Sequence, residues 1–129
     1  MPWQPAPIIY PDVELVVTQR LRAALPLTVQ YVGRGVPRPR KDVMVTVDRD
    51  GGASAQLRDR ARLRVRCWDL TDIDVATLAR RVVATMAALP DGDPILHVEH
   101  TAGPYEIAED APHKVRYLGF EVHTRGVPL

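Results

Sequence analysis

The chain has 129 residues, 46% of them hydrophobic and 26% charged, which supports one folded domain with a core and excludes an intrinsically disordered chain. Lys and Arg total 17 against 16 Asp and Glu, a net charge of +1, so no global field draws the chain to nucleic acid or membrane and any electrostatic function is local. The single cysteine, Cys67, excludes an intrachain disulfide framework and a cysteine-built zinc site.

Residues 1–11 carry Pro2, Pro5, Pro7 and Pro11 and form a proline-rich N-terminal arm. The arm lacks the basic start and long apolar run of a signal peptide. No stretch approaches the roughly 20 consecutive apolar residues of a membrane span, so a soluble protein is expected, and the lone cysteine fits an origin in a reducing cytoplasm. After Pro11, Asp12 is placed to cap a helix whose apolar positions are Val13, Val16, Val17, Leu21, Ala24 and Leu25, and Pro26 ends it. Residues 27–32 then suggest a short strand. Residues 33–41, where Pro37 and Pro39 alternate with Arg38 and Arg40, suggest an exposed loop because proline cannot donate to a sheet ladder.

Two strands follow. Val43, Val45 and Val47 alternate with Met44, Thr46 and Asp48, and Ala61, Leu63, Val65 and Cys67 alternate with Arg62, Arg64, Arg66 and Trp68. The residues between them, 50–60, hold Asp50, Gly51, Gly52, Arg58 and Arg60 and predict a long, mobile hairpin tip. Thr71 then caps a second helix, with Asp72 and Asp74 in its first turn where the helix dipole favours negative charge. Its buried stripe is Ile73, Val75, Leu78, Ala79, Val82, Met86 and Leu89, with Arg80 and Arg81 toward water. Residues 95–101 and 115–124 give two more strands, joined by an irregular link over 102–114. The order predicts a single α+β domain over 1–129: a mainly antiparallel sheet of about four to five strands with two helices on one face.

No catalytic set emerges. His97 and His100 lie three apart in a strand, hence on opposite faces, and His113 and His123 belong to the last loop and strand. Cys67 falls on the apolar face, and Ser54, the only serine, lies in the glycine-rich tip. The glycine pairs Gly33/Gly35 and Gly51/Gly52 match neither phosphate-loop fingerprint. Glu106 and Asp110 sit in a polar stretch with nothing apolar to raise a pKa. No catalytic, cofactor or metal residue is assigned. Two basic features remain: the loop with Arg34, Arg38, Arg40 and Lys41, and the stripe Arg62, Arg64, Arg66 on one sheet face. Either is a solvated face balanced by carboxylates such as Asp48 or Glu99, or an interface or channel wall. Nucleic-acid recognition is the weaker option, because aromatics make up only 5% of the chain and no stacking platform alternates with the charges.

Three stretches resemble the tail terminator, or tail completion, family of long-tailed bacteriophages: Pro11 with the following Asp-Val-Glu-Leu-Val-Val; the run from Arg58 through Ala61, Arg62, Leu63, Val65 and Trp68 into the helix around Leu78, Ala79 and Val82; and the close with Gly103-Pro104 and Tyr117, Phe120 and Val122. The resemblance implies a structural protomer of a homo-oligomeric ring, usually a hexamer, located in the virion at the head-proximal end of the tail. Such a ring binds the last tail tube subunits, stops their polymerisation and accepts the head–tail connector or stopper, while genomic DNA passes its lumen without sequence recognition. Under it, residues 50–60, with Asp50, Gly51, Gly52, Arg58 and Arg60, are the expected tube-docking loop, and Arg62, Arg64, Arg66, Arg34, Arg38, Arg40 and Lys41 the expected interface or lumen. The alternatives are another neck component (head-closure or adaptor protein), a nucleic-acid-binding module and, least supported by the residues, a small enzyme.

Overall fold

A computed structural model describes residues 7–55, 58–109 and 112–129. Residues 1–6, which are the first six of the proline-rich arm, residues 56–57 of the expected hairpin tip, and residues 110–111, Asp110 among them, lie outside these. The elements in order are β1 (Ile8–Ile9), α1 (Val13–Ala24), β2 (Tyr31–Gly33), β3 (Met44–Ala55), β4 (Arg58–Asp69), α2 (Asp72–Ala87), β5 (Ile95–Ile107), β6 (Lys114–Arg125) and β7 (Val127–Pro128). Five strands form one sheet in the order β2-β3-β4-β6-β5, antiparallel except for the parallel β2–β3 pair. Both helices pack on one face of it, so the fold is α+β. A small antiparallel ribbon of β1 and β7 ties the two ends of the chain together, a pairing that the sequence pattern did not announce.

Each helix begins where the sequence places its cap. Leu15 N donates to the Asp12 carboxylate at 3.2 Å, and Asp74 N donates to the Thr71 hydroxyl at 3.1 Å. In α1 the buried positions are Val13, Val17, Thr18 and Leu21, with Leu25 buried just past the end; Val16 is only half-buried and Ala24 is exposed. In α2 the stripe Val75, Leu78, Ala79, Val82, Met86 and Leu89 is buried, but Ile73 is 79% exposed. Ile73 precedes Val75 by two residues, about 200° around a helix of 3.6 residues per turn, and therefore points away from the sheet.

Three expected segments differ. Residues 27–32 contribute a strand only from Tyr31: Val29 N donates to Pro26 O in a turn, Leu27 is 99% exposed, and the Gln30 side chain accepts from the Asp42 and Val43 amides before pairing begins. The irregular link over 102–114 shrinks, because β5 runs on to Ile107. Register shifts at His100/Ala102 and Ala102/Tyr105 absorb Gly103 and Pro104, and an edge strand tolerates a proline that cannot donate. The third difference is the hairpin. Instead of a loop over 50–60, β3 continues to Ala55 and β4 starts at Arg58, giving a paired two-stranded ribbon with one bulge between Arg49 and Gly52. The glycines that suggest a loop are the ones the bulge requires: Gly51 and Gly52 have φ of +105° and +99°.

The main core lies between the helices and the sheet. It joins Val17, Leu21, Val75, Val82 and Met86 to Val45, Val47, Leu63, Val65, Cys67, Leu118 and Phe120. A second, smaller cluster of Met44, Trp68 and Val115, with Tyr31, Val36 and Ile107 packed against it, covers one end of the opposite face. Trp68 Nε1 donates to the buried Thr46 hydroxyl at 3.2 Å, which satisfies the indole where water cannot reach.

A Cβ on Gly52 would stand 1.9 Å from the Arg60 carbonyl, a backbone atom, whereas one on Gly35, at φ +63°, meets nothing within 4 Å. Gly35→Ala should therefore cost about 1–2 kcal/mol, the left-handed backbone term alone, and Gly52→Ala clearly more because the hairpin must also spread. Urea unfolding of the two variants measures the difference; equal losses would contradict the bulge geometry.

Candidate interaction face

The sheet face turned away from the helices is built by the alternation of β4. Ala61, Leu63, Val65 and Cys67 enter the core, which sends Arg58, Arg60, Arg62, Arg64 and Arg66 to the other side. The stripe Arg62, Arg64, Arg66 and the supposed tip residues Arg58 and Arg60 thus form one row. At the rise of an extended strand they stand about 6.7 Å apart over about 27 Å. The alternation at even positions from 58 onward carries this signal in the sequence, but Gly51 and Gly52 suggest a loop and mask it.

The ends of the row are tied down and its middle is not. Arg66 lies 3.5 Å from Asp48, and its guanidinium stands 5.3 Å from the centre of the Trp68 ring. Arg58 donates to His123 Nδ1 at 3.2 Å; an arginine can only donate, so the proton of a neutral His123 sits on Nε2, which donates to Glu121 at 2.6 Å. Across the sheet Arg62 is opposite Glu121, which faces Glu99 on β5, and Arg64 is opposite Asp48 on β3 and Gly119 on β6. Yet among the described residues no carboxylate lies within 4.0 Å of the Arg60, Arg62 or Arg64 guanidinium. Glu99 balances none of them directly.

The second basic feature is largely accounted for. The loop over 34–41 folds down onto the Trp68 end of this face, with Val36 and Pro37 half-buried, rather than standing free. Arg40 pairs with Glu109 at 3.3 Å and stands 5.3 Å from the Trp68 ring centre, and Arg34 is 3.7 Å from Glu14. Lys41 offers its carbonyl to His113 Nε2 at 2.7 Å. Arg38 and the Lys41 ammonium have no charged partner among the described residues. This loop acts as a cover for Trp68, and the middle of the row on β4, Arg60, Arg62 and Arg64, is the stretch without a carboxylate partner among the described residues.

The base of the ribbon is locked on the helix side. Arg49 donates twice to Asp59, at 2.7 and 2.9 Å, and Ser54 Oγ lies 3.2 Å from the same carboxylate. Asp50 is exposed on the strand, and with Gly51 and Gly52 it belongs to the bulge instead of a free tip.

Reactive groups are placed for packing. Cys67 is fully buried, and burial alone pushes its thiol up to about 12. His97 and His100 do face opposite sides: His97 meets His123 edge-on at 5.2 Å, and His100 stacks on Phe120 at 5.1 Å. Among the described residues no group of three His, Cys, Asp or Glu could hold a metal ion, and no helix is long and apolar enough to cross a membrane. No protein-family model matches the chain, and a comparison with curated proteins finds no significant match.

Two tests follow from these placements. The hydrogen bonds from Arg49 hold the Asp59 carboxyl below its ordinary range against the opposing effect of burial. A depressed folded-state pKa means that the pair stabilises fully above the ordinary carboxylate range, near pH 4, and that the stabilisation is lost as pH falls below it. Asp59→Asn should cost about 2–3 kcal/mol at pH 7, and the gap to the wild type should narrow as unfolding is followed toward pH 2. Cys67 should stay unmodified by a disulfide reagent at pH 8 in native protein and react at once in urea; rapid native labelling would contradict its burial.

Proposed function

We propose that this chain works by assembly rather than catalysis, as the ring-forming tail terminator of a long-tailed bacteriophage. In this reading the ring, a hexamer by the family's habit, caps the tail tube in the virion, halts tube polymerisation, presents a surface to the head–tail connector and lets genomic DNA pass. The observation that carries it is the row on β4. Three arginines without carboxylate partners on an otherwise ordered face contribute little to the stability of a lone domain, since exposed charges are worth about 1 kcal/mol or less, and their natural complement is a partner surface. The resemblance of the 58–69 strand and the helix after it to the tail terminator family supplies the identity of the assembly. The pairing of residues 52–55 with 58–61 supports a docking role for this segment in a changed form, as a paired ribbon in place of a loop.

A second reading, polyanion binding, is favoured by the spacing of the row along an extended strand. It predicts DNA affinity that falls steeply with salt, whereas the ring reading predicts oligomers that form without nucleic acid.

Native mass spectrometry and negative-stain imaging of the purified protein, alone and with polymerising tail tube subunits, test the proposal. Closed rings, and tubes capped and shortened in its presence, are expected. Monomers that leave tube length unchanged would overturn it, and rings that bind a portal-type connector but not tubes would favour another neck component.

A further inference from the structure

The arginine row lies on the sheet face away from the helices, and a surface of the opposite character lies on the helix side, past the end of β4. Beyond the last residue of β4, Asp69, a groove of about 500 Å³ opens between α2 and the 26–29 turn, with Val29, Val43 and Leu78 on its walls and Asp69 and Asp74 among its charges. Arg81 is the one basic residue lining it. Two strongly exposed apolar side chains adjoin it in the chain: Leu27, 99% exposed, lies between the lining residues Pro26 and Thr28, and Ile73, 79% exposed, precedes Asp74. Leu70, after Asp69, is 39% exposed. Asp42 flanks Val43, and neither Asp42 nor Asp74 has a cationic partner among the described residues. One chain therefore carries arginines without anions and an apolar groove edged by carboxylates without cations.

We propose that the arginine face of β4 in one copy docks on this groove in a second copy, with Arg60 and Arg64 set against Asp42 and Asp74 and the arginine stems laid over Leu27 and Ile73. The proposal rests on the ring reading given above and names the two surfaces that meet.

Charge complementarity selects the occupant. Guanidinium groups match carboxylates in a planar fork, and their methylene stems cover apolar surface. Ala53, opposite Arg60 on β3, leaves room beside the row for a partner side chain. Burial holds the Asp69 carboxyl above its ordinary range, the Leu70 amide pulls it down, and the charges of Asp74 and Asp42 push it up again, an excess of negative charge that an incoming guanidinium relieves. Geometry favours a ring over a closed pair. The row lies on the sheet face turned away from the helices, whereas the groove lies beyond Asp69 on the α2 side, so a copy can engage one neighbour through its arginines and another through its groove. Such a contact is heterologous and closes only as a ring.

Two charge-reversed variants test this: Arg60→Glu with Arg64→Glu, and Asp42→Arg with Asp74→Arg, each checked for native circular dichroism. Each variant alone should self-associate at least about tenfold more weakly than wild type, because every junction then sets like charges together. Mixed in equal amounts they should recover assembly, since each junction of an alternating ring is again complementary, and native mass spectrometry should find only species with both variants. A folding defect cannot produce recovery on mixing. If wild type forms rings and the variants form them equally well alone, this docking mode is wrong and the ring stands. If mixing restores nothing, the docking mode is likewise wrong. Wild type that stays monomeric, alone and on tubes, overturns the ring reading and the docking mode with it.

Discussion

The structure depends on the alternation of β4. This strand pairs along its whole length with β6 and along most of it with β3, and every second side chain from Ala61 to Cys67 is buried under the helices. A one-residue slip would bring the arginines into the core and leave Leu63 and Val65 in water. Burying even one unpaired guanidinium costs far more than a slipped ladder could return. The register is therefore fixed by charge as firmly as by hydrophobicity, and the row of arginines is the obligatory other side of a correctly placed core.

The remaining elements protect that arrangement. α1 and α2 cover the apolar face, and the 34–41 loop with Trp68, Met44 and Val115 seals one end of the other. The Arg49–Asp59 pair stiffens the far end, where the ribbon leaves the helices behind. Between the seal and that end the face stays open, which is where Arg60, Arg62 and Arg64 stand. The interval is ordered on both sides, and strand pairing constrains its backbone more than a loop would. Ordering a free loop on binding would subtract from affinity, whereas a preformed ribbon avoids that loss.

Cys67 is a packing residue, the histidines are held by stacking and by backbone or carboxylate contacts, and the bidentate Arg49–Asp59 pair braces the ribbon. The groove beside α2 has the opposite character from the arginine face: apolar walls edged by Asp69 and Asp74 against a row of guanidinium groups.

The sequence alone determined the local rules: the caps at Asp12 and Thr71, the helices behind them, the alternation that splits β4 into two faces, and the α+β class. These depend on neighbours within a few residues, so periodicity and capping chemistry suffice to find them. Tertiary structure decided what depends on distant partners. Gly51 and Gly52 mark a loop to any local reading, and only the pairing of β3 with β4 makes them a bulge. Gly103 and Pro104 likewise break a strand unless that strand lies at an edge and can shift register. Ile73 fits an apolar stripe by composition and faces water because the sheet lies on the other side of α2. The row of five arginines became visible as one surface only once the ribbon was continuous, and that no carboxylate among the described residues lies within 4.0 Å of Arg60, Arg62 or Arg64 could be known only when β3 and β6 were laid beside it, because a charge is balanced by what lies across the sheet and not by what adjoins it in the chain.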